Sequence, residues 1–407
     1  MMHRRAVAPH SLLLLFGASA LALGACSTTP DTPTEAADDT AVMDEVDVPT
    51  GELGFATELG EPGAFAAFEP VPVANGRTID YSVIDDALGA IVLDTGPSLR
   101  RFARAPVREA GSRIQRGHDS PLRLEGNKIF FSRFDRSTTE SMREYTDSLI
   151  AIGNQVDIAK LPKNEQLAYW YNLHNMIVIA TIAEEYPVAR PRDMTFGEDK
   201  VKFHDAKLVT IRGVPLSLRD IRRNIVYRYW DDPRVMYGFF HGDLASPNIR
   251  TYAWKGSTVS RDLDSNAAEF VNALRGVSRG RNVTYVSPLY YEAQAGLFPN
   301  WPTDLKAHLS KFASEDAQEL IDSGKPIAPW RYEDRTADLV GGEPYSKMTP
   351  GMGIDSMPQA FRDYVREVGQ KFETLQEQGR LRSATVTIID VPGTEWDVEG
   401  DASGEVD

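Results

Sequence analysis

The chain predicts an α+β fold class, a single mixed helix/sheet globular domain with a central buried helix. Three observations carry that prediction. Helix-like and strand-like segments follow one another without the regular alternation that builds a doubly wound sheet. The stretch from Asn164 to about Tyr186 is apolar on nearly all sides at helical spacing, and such a helix has to be buried. Both ends of the chain are acidic and poor in large apolar residues, so they stand outside any core.

Met1 to Ala25 has a basic start at Arg4 and Arg5, a charge-free apolar run from Leu12 to Leu23, and small residues before Cys26. These zones predict an export segment, with an apolar run shorter than the roughly 20 residues of a membrane-spanning helix. Leu23-Gly24-Ala25-Cys26 resembles the bacterial lipobox, which implies cleavage before Cys26, a diacylglycerol on its thiol, and so fatty acyl chains such as palmitate at the new N-terminus. Cys26 is the only cysteine. It therefore excludes an internal disulfide, a thiol nucleophile elsewhere and a cysteine-ligated metal.

Ser27 to Gly76 holds eleven acids and no Lys or Arg, and Asp390 to Asp407 holds seven acids. One-sided charge with few apolar residues predicts disorder, with a reach of roughly 40 Å for the N-terminal stretch. Phe55, Phe65 and Phe68 offer an alternative, packing on the domain. The two ends explain the net charge of −15: without them, 41 acids face 42 bases. A near-neutral middle lacks the basic stripe of a nucleic-acid binder. The expected divisions are an export segment over 1–25, a tether over 26–76, and the α+β domain over 77–340. A C-terminal helix and strand over 341–389 pack on it, and an acidic tail covers 390–407.

Within the domain, Ser82–Leu93 has a helical pattern and Ser120–Phe134 a strand-like one around Ile129. Ser137-Thr-Thr-Glu140 predicts a capping box opening a helix to about Ile152. In the long apolar helix, Leu167, Tyr171, His174, Val178 and Ile182 share one face, and Trp170, Leu173 and Ile177 another. Asn172, His174 and Asn175 are then buried polar groups that must meet partners. Lys202–Ile211 and Val214–Leu216 flank Arg212-Gly213, a hairpin turn. Ser217–Asp220 caps a helix to about Tyr229, and Asp231-Asp232-Pro233 ends it. The run Arg234–Phe240 empties into His241-Gly-Asp-Leu-Ala-Ser-Pro247, the kind of loop that carries function. Leu263–Leu274, Pro302–Phe312, Ser314–Ser323 and Pro358–Leu381 read as helices, and Val283–Val286 and Ala384–Val391 as strands.

Four motifs in order resemble those of the domain of unknown function 547 family, known in bacteria and plants: Leu167-Ala-Tyr-Trp-Tyr-Asn-Leu-His-Asn175, the segment Gly213 to Ile221, Asp232-Pro-Arg234 with its following apolar run, and Val286-Ser-Pro-Leu-Tyr290. The resemblance runs from about Thr78 to Trp301. It implies no biochemical activity. Many members have Ser-Cys-Pro where this chain has Ala245-Ser246-Pro247, often Glu at the position of Arg222, and often Tyr at that of His174, so the chain reads as a divergent member.

The candidate catalytic set is His174, His241, Asp243 and Ser246. A serine is a nucleophile only with a base beside it and a third group orienting that base. Trp170, Asn172, Asn175 and Arg234 are candidate ligand-binding residues. A metal could draw on His204, Asp205, His241 and Asp243, but two scattered His-Asp pairs make a weak pattern, and no metal or cofactor is expected. The preferred function is ligand binding or scaffolding at the cell envelope, with the membrane engaged through Cys26 and an envelope protein or small molecule as partner. The alternative is a thiol-independent hydrolase at the His241–Pro247 loop. Ser27 after Cys26 points to the outer membrane, facing the periplasm.

Overall fold

In the structure, a computed structural model that describes residues 59–72, 76–104, 118–330, 332–342 and 359–381, the apolar stretch forms one 23-residue α-helix, Lys163–Glu185. Burial is unbroken from Glu165 to Ala180. The carbonyl of Pro162 accepts the first free amides, those of Glu165 and Gln166. At the other end Pro187, just beyond Tyr186, cannot continue the helix.

Other elements wrap this helix. Arg136–Gln155 runs along it, with the Tyr169 hydroxyl donating to the Leu149 carbonyl at 3.1 Å. Gly153 permits that approach, since a Cβ there would lie 2.0 Å from the same hydroxyl. Further helices span Ser82–Ile91, Val259–Val271, Pro288–Leu297, Thr303–Leu309 and Glu315–Asp322. The strands are short. Antiparallel pairs join Val92–Leu93 to Lys128–Ile129, Thr195–Phe196 to Val201–Lys202, and Val209–Ile211 to Val214–Leu216. Val277–Arg279, Thr284–Val286 and Ile327–Pro329 make a three-stranded sheet whose last pairing is parallel. The fold is therefore α+β, with small sheets set around a helical core.

Several expected elements shift for local reasons. Asp135, rather than Ser137, caps the helix after it: its Oδ1 accepts from the Thr138 amide at 2.7 Å, and Glu140 instead pairs with Arg136. The strand at Ile129 stops after two residues and turns into a 3-10 helix over Phe131–Arg133. The hairpin forms as expected, with Arg212 and Gly213 at φ 51° and 79°, the left-handed pair that a two-residue turn demands. Ser217 and Asp220 cap reciprocally, Asp220 Oδ2 accepting from the Ser217 amide at 2.7 Å and Ser217 Oγ from the Asp220 amide at 3.1 Å. The helix they open is a π-helix over Asp220–Val226.

The packed part begins before Arg77. Residues Gly63–Phe68 form a 3-10 helix, Phe68 is buried, and its ring meets Trp170 edge-on at 5.2 Å. The late helix Gln359–Glu377 packs through Phe361, Tyr364 and Val368 against Leu339 and Val340. The export segment, Cys26, the strand expected over Ala384–Val391 and the acidic tail lie outside the described residues. Among those described, no helix is long and apolar enough to cross a membrane.

Candidate functional site

The π-helix, the central helix, the His241 loop and two turns converge on one buried polar cluster. Arg222, in the π-helix, points inward and is 1% exposed. A π-helix widens the turn, and such segments recur at functional sites. Its Nε and Nη2 both reach Glu292 Oε1 at 2.8 Å. Its Nη1 donates to His174 Nε2 at 3.0 Å and to His204 Nδ1 at 3.3 Å. His174 in turn uses Nδ1 to donate to Asn175 Oδ1 at 3.1 Å. These contacts fix the tautomers: His174 carries its proton on Nδ1, and His204 on Nε2. His204 Nε2 and Glu292 Oε2 are buried without a hydrogen-bond partner.

His241 lies beside this group, its ring centroid 5.3 Å from His204 and 6.1 Å from His174. Arg192 Nη2 donates to His241 Nδ1 at 3.0 Å, and Arg192 Nε to Asp243 Oδ2 at 3.0 Å. Tyr332 donates its hydroxyl to Asp243 Oδ1 at 2.9 Å, accepts from Arg192 Nη2, and places its ring 3.8 Å beneath the guanidinium. Arg192, one-fifth exposed, is where the cluster reaches the surface.

Charge follows from burial. Burial, then the Arg222 charge, holds His174, His204 and His241 well below the usual imidazole range, so all three are neutral at pH 7. Burial pushes Asp243 up to about 6, against the pull of Arg192 and Tyr332. Burial would raise Glu292 as well, but Arg222, Arg219 and Arg192 together outweigh it and the carboxyl falls below its ordinary value. The cluster therefore pairs two guanidinium cations with two carboxylates and keeps its imidazoles uncharged.

The Ser246 hydroxyl is bonded to its own turn and not to an imidazole: Oγ donates to the Asp243 carbonyl at 2.6 Å, and Arg275 Nε holds the Ser246 carbonyl at 3.1 Å. His241 Nδ1 is taken by Arg192, and both nitrogens of His174 are engaged. His174, His241 and Asp243 are thus gathered in one cluster, while the serine hydroxyl is spent on the backbone. The metal candidates separate: Asp205 turns outward to Arg219 at 2.9 Å, and Asp243 faces Arg192. Among the described residues no group of three or more His, Cys, Asp or Glu is placed to hold a metal ion.

The ligand-binding candidates serve the backbone. Asn172 pairs reciprocally with Trp254, at 2.8 Å to its carbonyl and 2.9 Å from its amide. Asn175 donates to Gly238 O at 3.0 Å and accepts from the Phe240 amide at 2.9 Å, which fixes the start of the His241 loop. Trp170 is fully buried between Phe68 and Tyr169. Arg234 forks onto Asp232 and reaches Asp264 at 2.7 Å. Gly242 turns the loop at φ 89°, where a Cβ would meet Ile182 at 2.5 Å.

Sequence reasoning missed Arg192, Glu292 and Tyr332 altogether. Only Arg222 carried a signal, as one of three departures from the residues usual in the family it resembles. Another is His174, and the two side chains are hydrogen-bonded to each other.

The family model described as "Protein of unknown function, DUF547" matches residues 158–271, a span that holds His174, His204, Arg222, His241 and Ser246 but neither Glu292 nor Tyr332. No curated protein and no solved structure matches the chain.

Proposed function

We propose, for a chain whose residues 158–271 match the DUF547 family model, a binding or scaffolding role at the cell envelope, exercised from a lipid anchor on Cys26. The observation that carries the binding reading is the Ser246 hydroxyl. It is bonded at 2.6 Å to the carbonyl of its own turn, and not to an imidazole: both nitrogens of His174 and the Nδ1 of His241 are engaged by other groups. General-base catalysis needs the base within hydrogen-bond reach of the nucleophile. The polar cluster instead supports a fixed loop, with each charge matched by a neighbour.

The anchor rests on Leu23-Gly24-Ala25-Cys26 and the acidic tether behind it. Lipid on the cysteine and a tether that ends before the packed residues Gly63–Phe68, with a reach of roughly 30 Å, would hold the domain clear of a bilayer surface. Ser27 after the lipidated residue favours the outer membrane. Two measurements test this reading. The purified chain is expected to turn over no simple ester or amide substrate above a Ser246→Ala control; turnover lost in that variant would reinstate the hydrolase. Cell fractionation of Cys26→Ser is expected to release the protein from the membrane, and retention would defeat the lipid anchor.

A further inference from the structure

The His241 loop is covered by a strap of the chain's own, residues 332–342, which lies outside the family-matched span. The strap pairs with the loop edge as an added strand would. Leu244 N donates to Arg335 O at 2.9 Å, Ala245 N to Glu333 O at 3.1 Å, and Ala337 N to Gly242 O at 2.9 Å. Thr336 and Asp243 form an antiparallel bridge.

Its two halves are held differently. The inner half, Thr336–Gly342, is buried. It is also paired on its other side, the Ile129 amide donating to Ala337 O at 2.9 Å. Asp338 ties it down further, accepting from the Phe131 amide at 3.2 Å, the Tyr186 hydroxyl at 3.2 Å and the Gly342 amide at 3.0 Å. The outer half, Tyr332–Arg335, is half-buried. It rests on the loop-edge amides, on the Tyr332 latch and on two rim ion pairs, Arg335–Asp119 and Arg190–Asp334.

We propose that the outer half of the strap is a displaceable occupant of a peptide-docking edge, and that the partner it stands in for is an extended segment carrying a tyrosine. The strap itself shows what fits. Main-chain carbonyls satisfy the Leu244 and Ala245 amides, and alternate side chains of an added strand supply specificity. A phenol drops between Arg192 and Asp243, its ring against the guanidinium, and donates to the carboxylate. A phenylalanine keeps the ring contact and loses both polar ones, so the edge selects tyrosine. This deepens the binding reading and rests on it.

The test uses the full chain and a fluorescent synthetic peptide copying the outer half alone, Tyr332–Arg335. Wild-type protein is expected to bind it weakly, because the strap competes in cis. Tyr332→Phe, which unlatches the outer half, is expected to bind at least tenfold more tightly, and the same peptide with Phe for Tyr at least tenfold more weakly. Equal binding by wild type and variant, equal binding of the two peptides, or no binding by a variant that keeps its near-UV circular dichroism would each overturn the proposal. So would a concentration-dependent dimer of the variant that takes no peptide, since that is strap exchange between copies. Hydrogen exchange on the unmodified chain tests it independently. The Leu244 and Ala245 amides are expected to exchange by local opening, ahead of the Ile129 amide and the central helix. Exchange only with global unfolding would show the outer half to be core. Ester turnover lost in Ser246→Ala would sink the binding reading but leaves these peptide results standing on their own.

Discussion

Arg222 is the side chain on which most of the cluster depends. It supplies the charge that Glu292 faces and the donors that His174 and His204 accept. A buried ion pair contributes little net stability, but removing one partner leaves an uncompensated charge in the interior. Arg222→Met is therefore expected to cost about 3–5 kcal/mol, measured as a lowered urea midpoint. Adding Glu292→Leu to that variant is expected to recover a large part of the loss. If the double variant is no more stable than the single one, the pair is not coupled as described. The departures at Arg222 and His174, legible in the sequence only as two oddities, become one interaction in the structure.

The central helix was legible because periodicity and composition agreed: no face of Asn164–Tyr186 could be left in water, and the three polar residues in it had to find partners. All three did, with Asn172 and Asn175 serving backbone groups in distant segments. The hairpin at Arg212-Gly213 was legible because only a few residue pairs take its turn. The π-helix over Asp220–Val226 was not. The Ser217–Asp220 cap announces a helix start, yet the choice between i→i+4 and i→i+5 bonding is made by what Arg222 and its neighbours must reach. Two of the three strands in the larger sheet also went unread, because Val277–Arg279 and Ile327–Pro329 are three residues long and their pairing is non-local.

The tether's edge was placed at Gly76 from charge, although the phenylalanines there offered the alternative that the structure realises at Phe65 and Phe68. Phe68→Ala is expected to cost about 3–5 kcal/mol, as a drop in melting temperature. A change within error would mean that Gly63–Phe68 rests on the domain without supporting it. The strap had no sequence signal at all, since Tyr332–Gly342 is neither periodic nor punctuated like a strand.

For the molecule as a whole, the buried histidines set how stability depends on pH. His118, His174, His204 and His241 all lie well below the usual imidazole range, and His308 is lowered to about 4, through burial first and nearby cations second. Below about pH 6.5 the unfolded chain takes up protons that these folded imidazoles refuse, so stability falls with pH. Asp243 and Asp338, pushed up to about 6 by burial, act in the opposite sense. Between about pH 6 and pH 4 the folded state holds their protons more tightly than an ordinary carboxyl does. Five histidines outweigh two aspartates, and the urea midpoint is expected to fall steadily from pH 7 to pH 5. A flat or rising midpoint would mean that the imidazoles are not held neutral.

The His241 loop is held by the central helix through Asn175, by Arg192, and by the strap through Tyr332. The claim that this loop is a held structure and not a catalytic one is tested most directly by treating the full chain with a fluorophosphonate probe and mapping any adduct by mass spectrometry. No adduct is expected at Ser246, because its hydroxyl is bonded to the Asp243 carbonyl and not to an imidazole. Stoichiometric labelling of Ser246 that disappears in His241→Ala would contradict the account and make the serine a nucleophile.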